Sequence, residues 1–330
     1  MTHHIKKNKP LSENWYLKLV DPQQHRALWL RFTKLITKKP QTAIAEVWGI
    51  YFEKTNDGTI KKSAVKETFP LSDFHDLTEN DAIEIKACSL DSTKTKGTIA
   101  SESNHLNWDL TFHPKQKINF NFVPTLLKKL KIVKNTVWTL QEDLLFSGKV
   151  TLNKREIIFD KALGMIGHYY GPKSGHEWQW AHANSFLDAN NKLTQTIFDG
   201  IRAQARIGNK ITTPYLTTML IHFQNKTYHF NTMKALSHIK SQFKDGVWSF
   251  EAKEKDIIFK GRIWAPENYF AGITYTDTDH SKLYCYNSKL ANIVIDVYNN
   301  NSLIESLTAK ETAAFEYVQR HTDPNVELVL

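Results

Sequence analysis

Side-chain character alternates with a period of two along most of this 330-residue chain. That period belongs to β-strands and not to helices, so it restricts the fold before anything else does. The alternation is sharpest in Glu177–Phe186. Read as one strand, this segment sends Trp178, Trp180, His182 and Asn184 to one face and Glu177 to the other. A plain core face would be Val, Ile and Leu, and a plain solvent face would be charged. Two indoles, an imidazole and a carboxamide suit instead the wall of a pocket for a greasy, partly polar small molecule. In the alternative reading the indoles fill a barrel core, and His182 and Asn184 bond to nearby backbone.

Further strands read as Asn14–Val20, closed by the turn signal Asp21-Pro22, and as Ala27–Ile36 and Ala43–Phe52, joined through Lys38-Lys-Pro40. Folding the last two as a hairpin with Trp29 opposite Trp48 sets Arg31 opposite Glu46. Such a pair is either the polar floor of a cavity or an outward-facing clamp, and the cost of burying two charges favours the clamp. Asn56-Asp-Gly58 marks a turn, and Ile83–Leu90, Gly97–Ser101, Asn107–Phe112, Gly148–Leu152 and Glu156–Phe159 follow as strands. The second half repeats this order loosely. Glu177-Trp178 echoes Asn14-Trp15, Leu216–Phe223 followed by Tyr228–Phe230 echoes the region from Val47 to Gly58, and Gly246–Glu251 echoes His105–Leu110. Strands at Leu193–Arg202, Tyr284–Ser288, Leu290–Tyr298 and Phe315–Gln319 complete it, and the helix candidates are short, at Pro124–Lys131 and Thr232–His238. The expectation is an all-β chain of two similar tandem barrels or sandwiches, dividing near Gly171–Gly175 into residues 1–170 and 171–330.

Composition agrees. The length favours two domains, and 41% hydrophobic and 12% aromatic residues are ample for two cores. The start, Met1–Pro10, is polar and basic, unlike a secretory signal, and no apolar run reaches the ~20 residues that span a bilayer. Cys88 and Cys285 have no metal-type spacing and suit buried thiols in a reducing, cytoplasmic setting. The net charge of +9 gathers in Lys6, Lys7 and Lys9 and again in Lys115, Lys117, Lys128, Lys129, Lys131 and Lys134. No nucleic-acid motif accompanies these lysines, so a solvated surface is expected, with weak association to a membrane surface as the alternative. No nucleic acid and no obligate protein partner are expected.

The chain has no Gly-rich phosphate loop, no Gly-x-Ser-x-Gly elbow and no His-Glu-x-x-His. His168, His176 and His182 are spaced by eight and six, which fits no common metal site, so neither a metal nor a cofactor is expected. What remains is acid–base chemistry in an apolar cavity. His168, Glu177 and His182 are the candidate catalytic groups, with Asp109 as a fourth. Tyr170, Trp178, Trp180, Asn184 and Trp108 are the candidate ligand-binding residues. Against a catalytic role, His168 stands among Gly164, Gly167 and Gly171, where a crowded turn would leave it capping backbone groups.

The stretches Glu13–Pro22, Ala27–Arg31, Ala45–Gly49, Gly164–His168, Trp178–Asn184, Tyr284–Ala291 and Ala314–Tyr317 resemble a lipocalin-like family. That family contains the carotenoid hydratases (hydroxyneurosporene synthases), tocopherol cyclase-like proteins and AttH-type proteins, with fungal Diels–Alderases as more distant relatives. The resemblance spans nearly the whole chain. It departs after Gly167-His168, where Tyr169-Tyr170-Gly171 stands in place of an Asn-Trp-Gly pattern. It implies two tandem lipocalin-like (calycin-type) β-barrels and a hydrophobic ligand of isoprenoid, carotenoid or polyketide-like type. Two functions follow. One is a cofactor-independent hydratase or cyclase in an aromatic-lined barrel pocket, with His182 or Asn184 holding the nucleophile and aromatic walls steadying a carbocation. The other is a non-catalytic carrier or sensor. A buried carboxylate facing the pocket separates them, and Glu177 points away from it.

Overall fold

In a computed structural model the chain is described over residues 9–77, 82–130, 132–207 and 211–330; Lys6, Lys7 and Lys131 lie outside that range. Strands β1 (Leu11–Asp21), β2 (Arg26–Ile36), β3 (Ala43–Lys54) and β4 (Ile60–Pro70) open the first sheet. It continues through β5 (Phe74–Leu77), β6 (Ala82–Ile85), β7 (Cys88–Leu90), β8 (Lys94–Ala100) and β9 (His105–Gln116) to β10 (Phe120–Asn121), β11 (Thr136–Leu152) and β12 (Arg155–Gly171). The second half holds β13 (Glu177–Ala183), β14 (Ile197–Gln204), the small pair β15 (Arg206–Ile207) and β16 (Ile211–Thr212), β17 (Leu216–Phe223) and β18 (Lys226–Phe230). It ends with β19 (Ile239–Lys244), β20 (Val247–Glu254), β21 (Ile257–Trp264), β22 (Ala271–Thr276), β23 (Lys282–Asn299) and β24 (Ser302–Gln319). The helices α1 (Thr125–Lys129) and α2 (Met233–Leu236) fall within the two expected segments.

The first sheet runs β4-β3-β2-β1-β12-β11-β9-β8-β7-β6-β5 and the second β18-β17-β14-β13-β24-β23-β21-β20-β19, with antiparallel pairing throughout. The two halves share one plan, in which the first strand pairs with the last and the remaining strands wind out on either side. Each sheet curls into a nearly closed barrel. In the first, the Ala100 amide donates to Glu67 of β4 at 3.1 Å, and Asn104 Nδ2 donates to the Ala64 carbonyl at 3.2 Å. The interiors are filled with side chains such as Phe32, Phe146 and Trp108 in one barrel, and Phe198, Trp248 and Phe259 in the other. Each such burial stabilises by roughly 1.5–3 kcal/mol.

The barrels pack outer face against outer face. On β1, Leu17 and Leu19 point into the first barrel while Tyr16, Lys18 and Val20 point toward the second. On β2 and β3, Leu28, Leu30 and Val47 point in, while Trp29, Trp48, Ile50 and Phe52 meet Ala271, Ile273, Tyr275 and Cys285 of β22 and β23. Burial on both faces explains the nearly unbroken apolar runs in these strands.

Several sequence expectations change. In the β2/β3 register Arg31 stands opposite Trp48, Trp29 opposite Ile50 and Thr33 opposite Glu46, two residues away from the expected pairing. The connection closes on Thr37 and Thr42, whose backbone bond of 2.9 Å fixes that register. Ile83–Leu90 is a tight hairpin, because Lys86 turns through the left-handed region (φ 56°). Tyr284–Tyr298 is one strand whose register shifts between Ser288 and Ala291, which breaks the alternation there. Of the strand expected at Leu193–Arg202, Leu193 makes only an isolated bridge to Leu187, and β14 begins at Ile197. Position in the sheet matches β20 to β8, so the echo between Trp248 and Trp108 is offset by one strand. Cys88 and Cys285 are free, buried thiols, and no helix among the described residues is long and apolar enough to cross a membrane.

Candidate functional site between the barrels

A cavity of about 220 Å³ lies in the seam between the barrels, not inside either of them. This corrects the expected pocket within a barrel, whose interiors are packed. Trp29 and Trp48 from the first barrel and Trp178, Trp180 and Tyr275 from the second form its aromatic walls. Arg31, Thr33 and Glu46 of β2 and β3 and Glu316 of β24 face it as well, as do Asn14 and Tyr16 of β1. The segment following β10 roofs it with Phe122, Pro124, Val133 and Asn135, while Leu126 and Leu130 of the same segment stay exposed beside Lys128 and Lys129. A wider depression of about 550 Å³ on the outer face of the second barrel is open and charged, lined by Lys240, Glu251, Lys260 and Arg262. It is open and most of the residues lining it are polar or charged, so the seam is the better site.

Arg31 and Glu46 are polar walls of this cavity and do not form the expected clamp. The Arg31 guanidinium stacks on Tyr275, 4.1 Å from its ring centre, and Glu46 pairs with Lys66 at 2.8 Å. Arg31 Nε, Thr33 Oγ1 and Trp48 Nε1 are buried without a hydrogen-bond partner among the described residues. Glu316 accepts from Trp178 Nε1 at 3.0 Å and lies 3.8 Å from Cys285 Sγ. Burial raises the hydroxyl pKa of Tyr16 well above its ordinary value, and Asp199 and Glu316 add to that.

Behind Trp180 and Tyr16 lies a second, fully buried layer of charge. Trp180 Nε1 donates to Asp199 at 2.9 Å, and Thr139 donates to the other oxygen of Asp199. Lys18 Nζ donates to Asn184 Oδ1 at 3.3 Å, and Asn184 donates to Asp143 at 2.9 Å and to the Gly164 carbonyl at 3.1 Å. The Glu142 carboxyl is fully buried, with His182 Nε2 3.4 Å from one of its oxygens and Asp199 beside it. Burial raises the Glu142 pKa, and the neighbouring Asp199 and Asp143 add to the shift; burial likewise raises Asp199 to about 7. Lys18 is lowered to about 7 and Lys289 to about 8, again mainly by burial. Two adjacent buried carboxyls of this kind hold a proton between them.

The structure divides the expected site. Trp178 and Trp180 line the cavity. His182 shares their face, but it lies in the buried layer with 0% exposure, its Nε2 3.0 Å from the Glu142 carbonyl. Burial lowers its pKa well below the usual value, so it is neutral there. Asn184 lies just beyond the end of β13, in the same layer. His168 and Tyr170 do not reach the cavity. They are on a strand, not in a turn, and point to the mouth of the first barrel, where His168 stacks on Trp15 (4.7 Å) and meets Glu13 at 3.1 Å. Tyr169, of opposite parity, faces the cavity instead. Glu177 turns away, as alternation requires, and accepts from Tyr215 at 2.9 Å. Trp108 belongs to the first core, with its Nε1 on Thr95 at 3.0 Å, and Asp109 is an exposed partner of Lys94. Among the described residues no group of three or more His, Cys, Asp and Glu is placed to hold a metal ion. Sequence reasoning missed Tyr16, Glu316, Asp199 and Glu142. The signal for Asp199 and Glu316 was present, since each is a lone acid within an otherwise apolar strand segment.

A putative AttH from Nitrosomonas europaea shares this fold with a TM-score of 0.54 at 8% identity, over 96% of this chain and 95% of that one. Kievitone hydratase from Nectria haematococca matches with a TM-score of 0.50 at 9% identity, over 94% of this chain and 89% of that one. At such identities the likeness is one of fold. It bears out the tandem-barrel architecture and the AttH-type resemblance. No protein-family model and no curated protein matches the sequence.

Proposed function

We propose that the cavity between the barrels binds a compact apolar molecule and that the chain protonates it, as a cofactor-independent hydratase or cyclase. The observation that carries this reading is Glu316. It is a carboxyl group set among Trp178, Trp180 and Tyr275 on the cavity wall, the feature that separates an enzyme from a carrier. Glu316 would deliver or remove the proton. The indoles would steady developing positive charge through their faces, by ~1–2 kcal/mol each where water is excluded. That the same fold serves a hydratase supports the reaction class. A volume of about 220 Å³ favours a molecule of one to three rings over a long carotenoid chain. The exposed Leu126 and Leu130 beside Lys128 and Lys129 support brief contact of the cavity roof with anionic lipid. Equal retention on neutral and anionic vesicles would remove that part.

Native mass spectrometry of the purified protein should show a co-purifying apolar ligand. Once that ligand or a surrogate is turned over, Glu316→Gln should lower the rate ~100-fold or more with binding and melting temperature nearly unchanged. A Glu316→Gln protein that binds and turns over normally removes Glu316 as the proton donor. Binding without any turnover across isoprenoid, phenolic and polyketide-like panels leaves a carrier.

A further inference from the structure

Three buried polar atoms on one patch of the cavity wall lack partners among the described residues: Arg31 Nε, Thr33 Oγ1 and Trp48 Nε1. The fold places them together. Arg31 and Trp48 are directly opposed across β2 and β3, and Thr33 lies two residues along on the same face. All three can donate a hydrogen bond, and Arg31 Nε and Trp48 Nε1 can only donate. Leaving a donor buried and unpaired is costly, so three on one patch call for a common acceptor.

No ion pair engages Arg31 among the described residues either. Glu46, on the same face, is taken by Lys66 at 2.8 Å. Among the described residues no carboxylate lies within ion-pair distance of the Arg31 guanidinium, whose flat side rests on Tyr275. A cation at the edge of an aromatic cavity, with its face on Tyr275 and its buried Nε unpartnered, suits an oxygen arriving in the guanidinium plane.

Resting on the cavity reading above, we propose that Arg31, Thr33 and Trp48 form a cradle for one oxygen acceptor of the ligand. The molecule bound is then a flat, compact compound ending in a carboxylate, phenolate or carbonyl oxygen. Its ring system lies between the indoles of Trp29, Trp178 and Trp180, and its oxygen points at the β2/β3 wall. This wall would set specificity, because a site built to satisfy buried donors rejects an analogue without the acceptor more strongly than an apolar wall rejects a change of size.

Three two-ring probes of nearly equal shape test this by calorimetry: 2-naphthoate, 2-acetylnaphthalene and 2-ethylnaphthalene. The wild type should bind the first two at least ~10-fold more tightly than the third, and the carboxylate most tightly. Thr33→Val keeps shape and removes one donor, and Trp48→Phe removes the indole N–H together with part of the wall. Each should reduce the ratio of acetyl to ethyl affinity several-fold, whatever it does to 2-ethylnaphthalene binding itself. Arg31→Met should abolish the extra affinity for the carboxylate. Equal affinity for the acetyl and ethyl compounds, or an unchanged preference in all three variants, overturns the cradle and leaves the cavity reading standing. Failure of the wild type to bind any of the three removes the cavity reading together with the cradle.

Discussion

Asp199 sits between cavity and interior, accepting from the cavity-facing Trp180 while lying against Glu142 and within reach of the Lys18 charge. Its pKa of about 7 in the folded chain compares with an ordinary carboxyl near ~3.9 in the unfolded one. A raised folded pKa makes the stabilising contribution complete below pH ~4, and that contribution is lost as pH rises toward 7. Asp199→Asn keeps an acceptor for Trp180 and escapes this loss. Its melting temperature relative to the wild type should therefore climb between pH 5 and pH 8. Lys18 adds to the same trend, since removing a nearby negative charge lowers its proton affinity further. A flat or falling difference would place Asp199 as an ordinary ionised group. His182 belongs to the same layer, and its loss would leave a hole and free the Glu142 carbonyl of its partner. His182→Ala should destabilise by ~2–5 kcal/mol, read as a lower melting temperature. A well-folded His182→Ala protein with lost turnover would instead return it to the catalytic role expected from sequence.

At the scale of elements, the run Gly164-Met-Ile-Gly167 on β12 shows why a motif can be visible and its meaning hidden. A Cβ at Gly164 would come within 2.3 Å of the Lys18 carbonyl, and one at Gly167 within 2.3 Å of the Tyr16 ring. The two glycines let β1 and its side chains lie close over β12, which sets Tyr16 at the cavity floor and Lys18 in the buried layer. Gly167→Ala should push the Tyr16 ring aside, costing ~1–3 kcal/mol and weakening cavity binding together. Thermal melts alongside probe titration would check both, and a variant unchanged in both would show that the ring has room to move. The same strands show what sequence can and cannot tell. Alternation identified the shared face of Trp178, Trp180 and His182 and turned Glu177 away, because parity is a local property. It could not say how deep along that face the cavity ends, so His182 and Asn184 were grouped with the indoles. Parity also could not assign His168 to the barrel mouth and Tyr169 to the seam while Gly164–Gly171 read as a turn. The β2/β3 register was missed by two residues, because two residues of slip preserve both faces and only the Thr37–Thr42 closure distinguishes the pairings.

At the scale of the whole molecule, the seam between the barrels does the work of a third core. Trp29, Trp48, Ile50, Phe52 and Leu163 of the first barrel pack on Ile273, Tyr275, Leu283 and Val318 of the second, and the charged layer runs beside them. The expectation is one barrel in residues 1–170 and one in 171–330; β12 of the first sheet ends at Gly171 and β13 of the second begins at Glu177. The seam argues that these units depend on one another for stability, since separation would expose several large apolar side chains, each costing ~1.5–3 kcal/mol, together with unpaired charges such as Lys18 and Asp199. Denaturant unfolding should accordingly be one cooperative transition, with far-ultraviolet circular dichroism and Trp fluorescence coincident. A fragment of residues 1–171 expressed alone should bind a hydrophobic dye strongly or aggregate, because β1, β2 and β3 would present an uncovered apolar face. Two resolved transitions, or a soluble fragment with native-like dispersion and little dye binding, would show each barrel to be autonomous. The cavity would then be the product of a docked interface that can open, and ligand binding should raise the stability of the pair without changing that of either half.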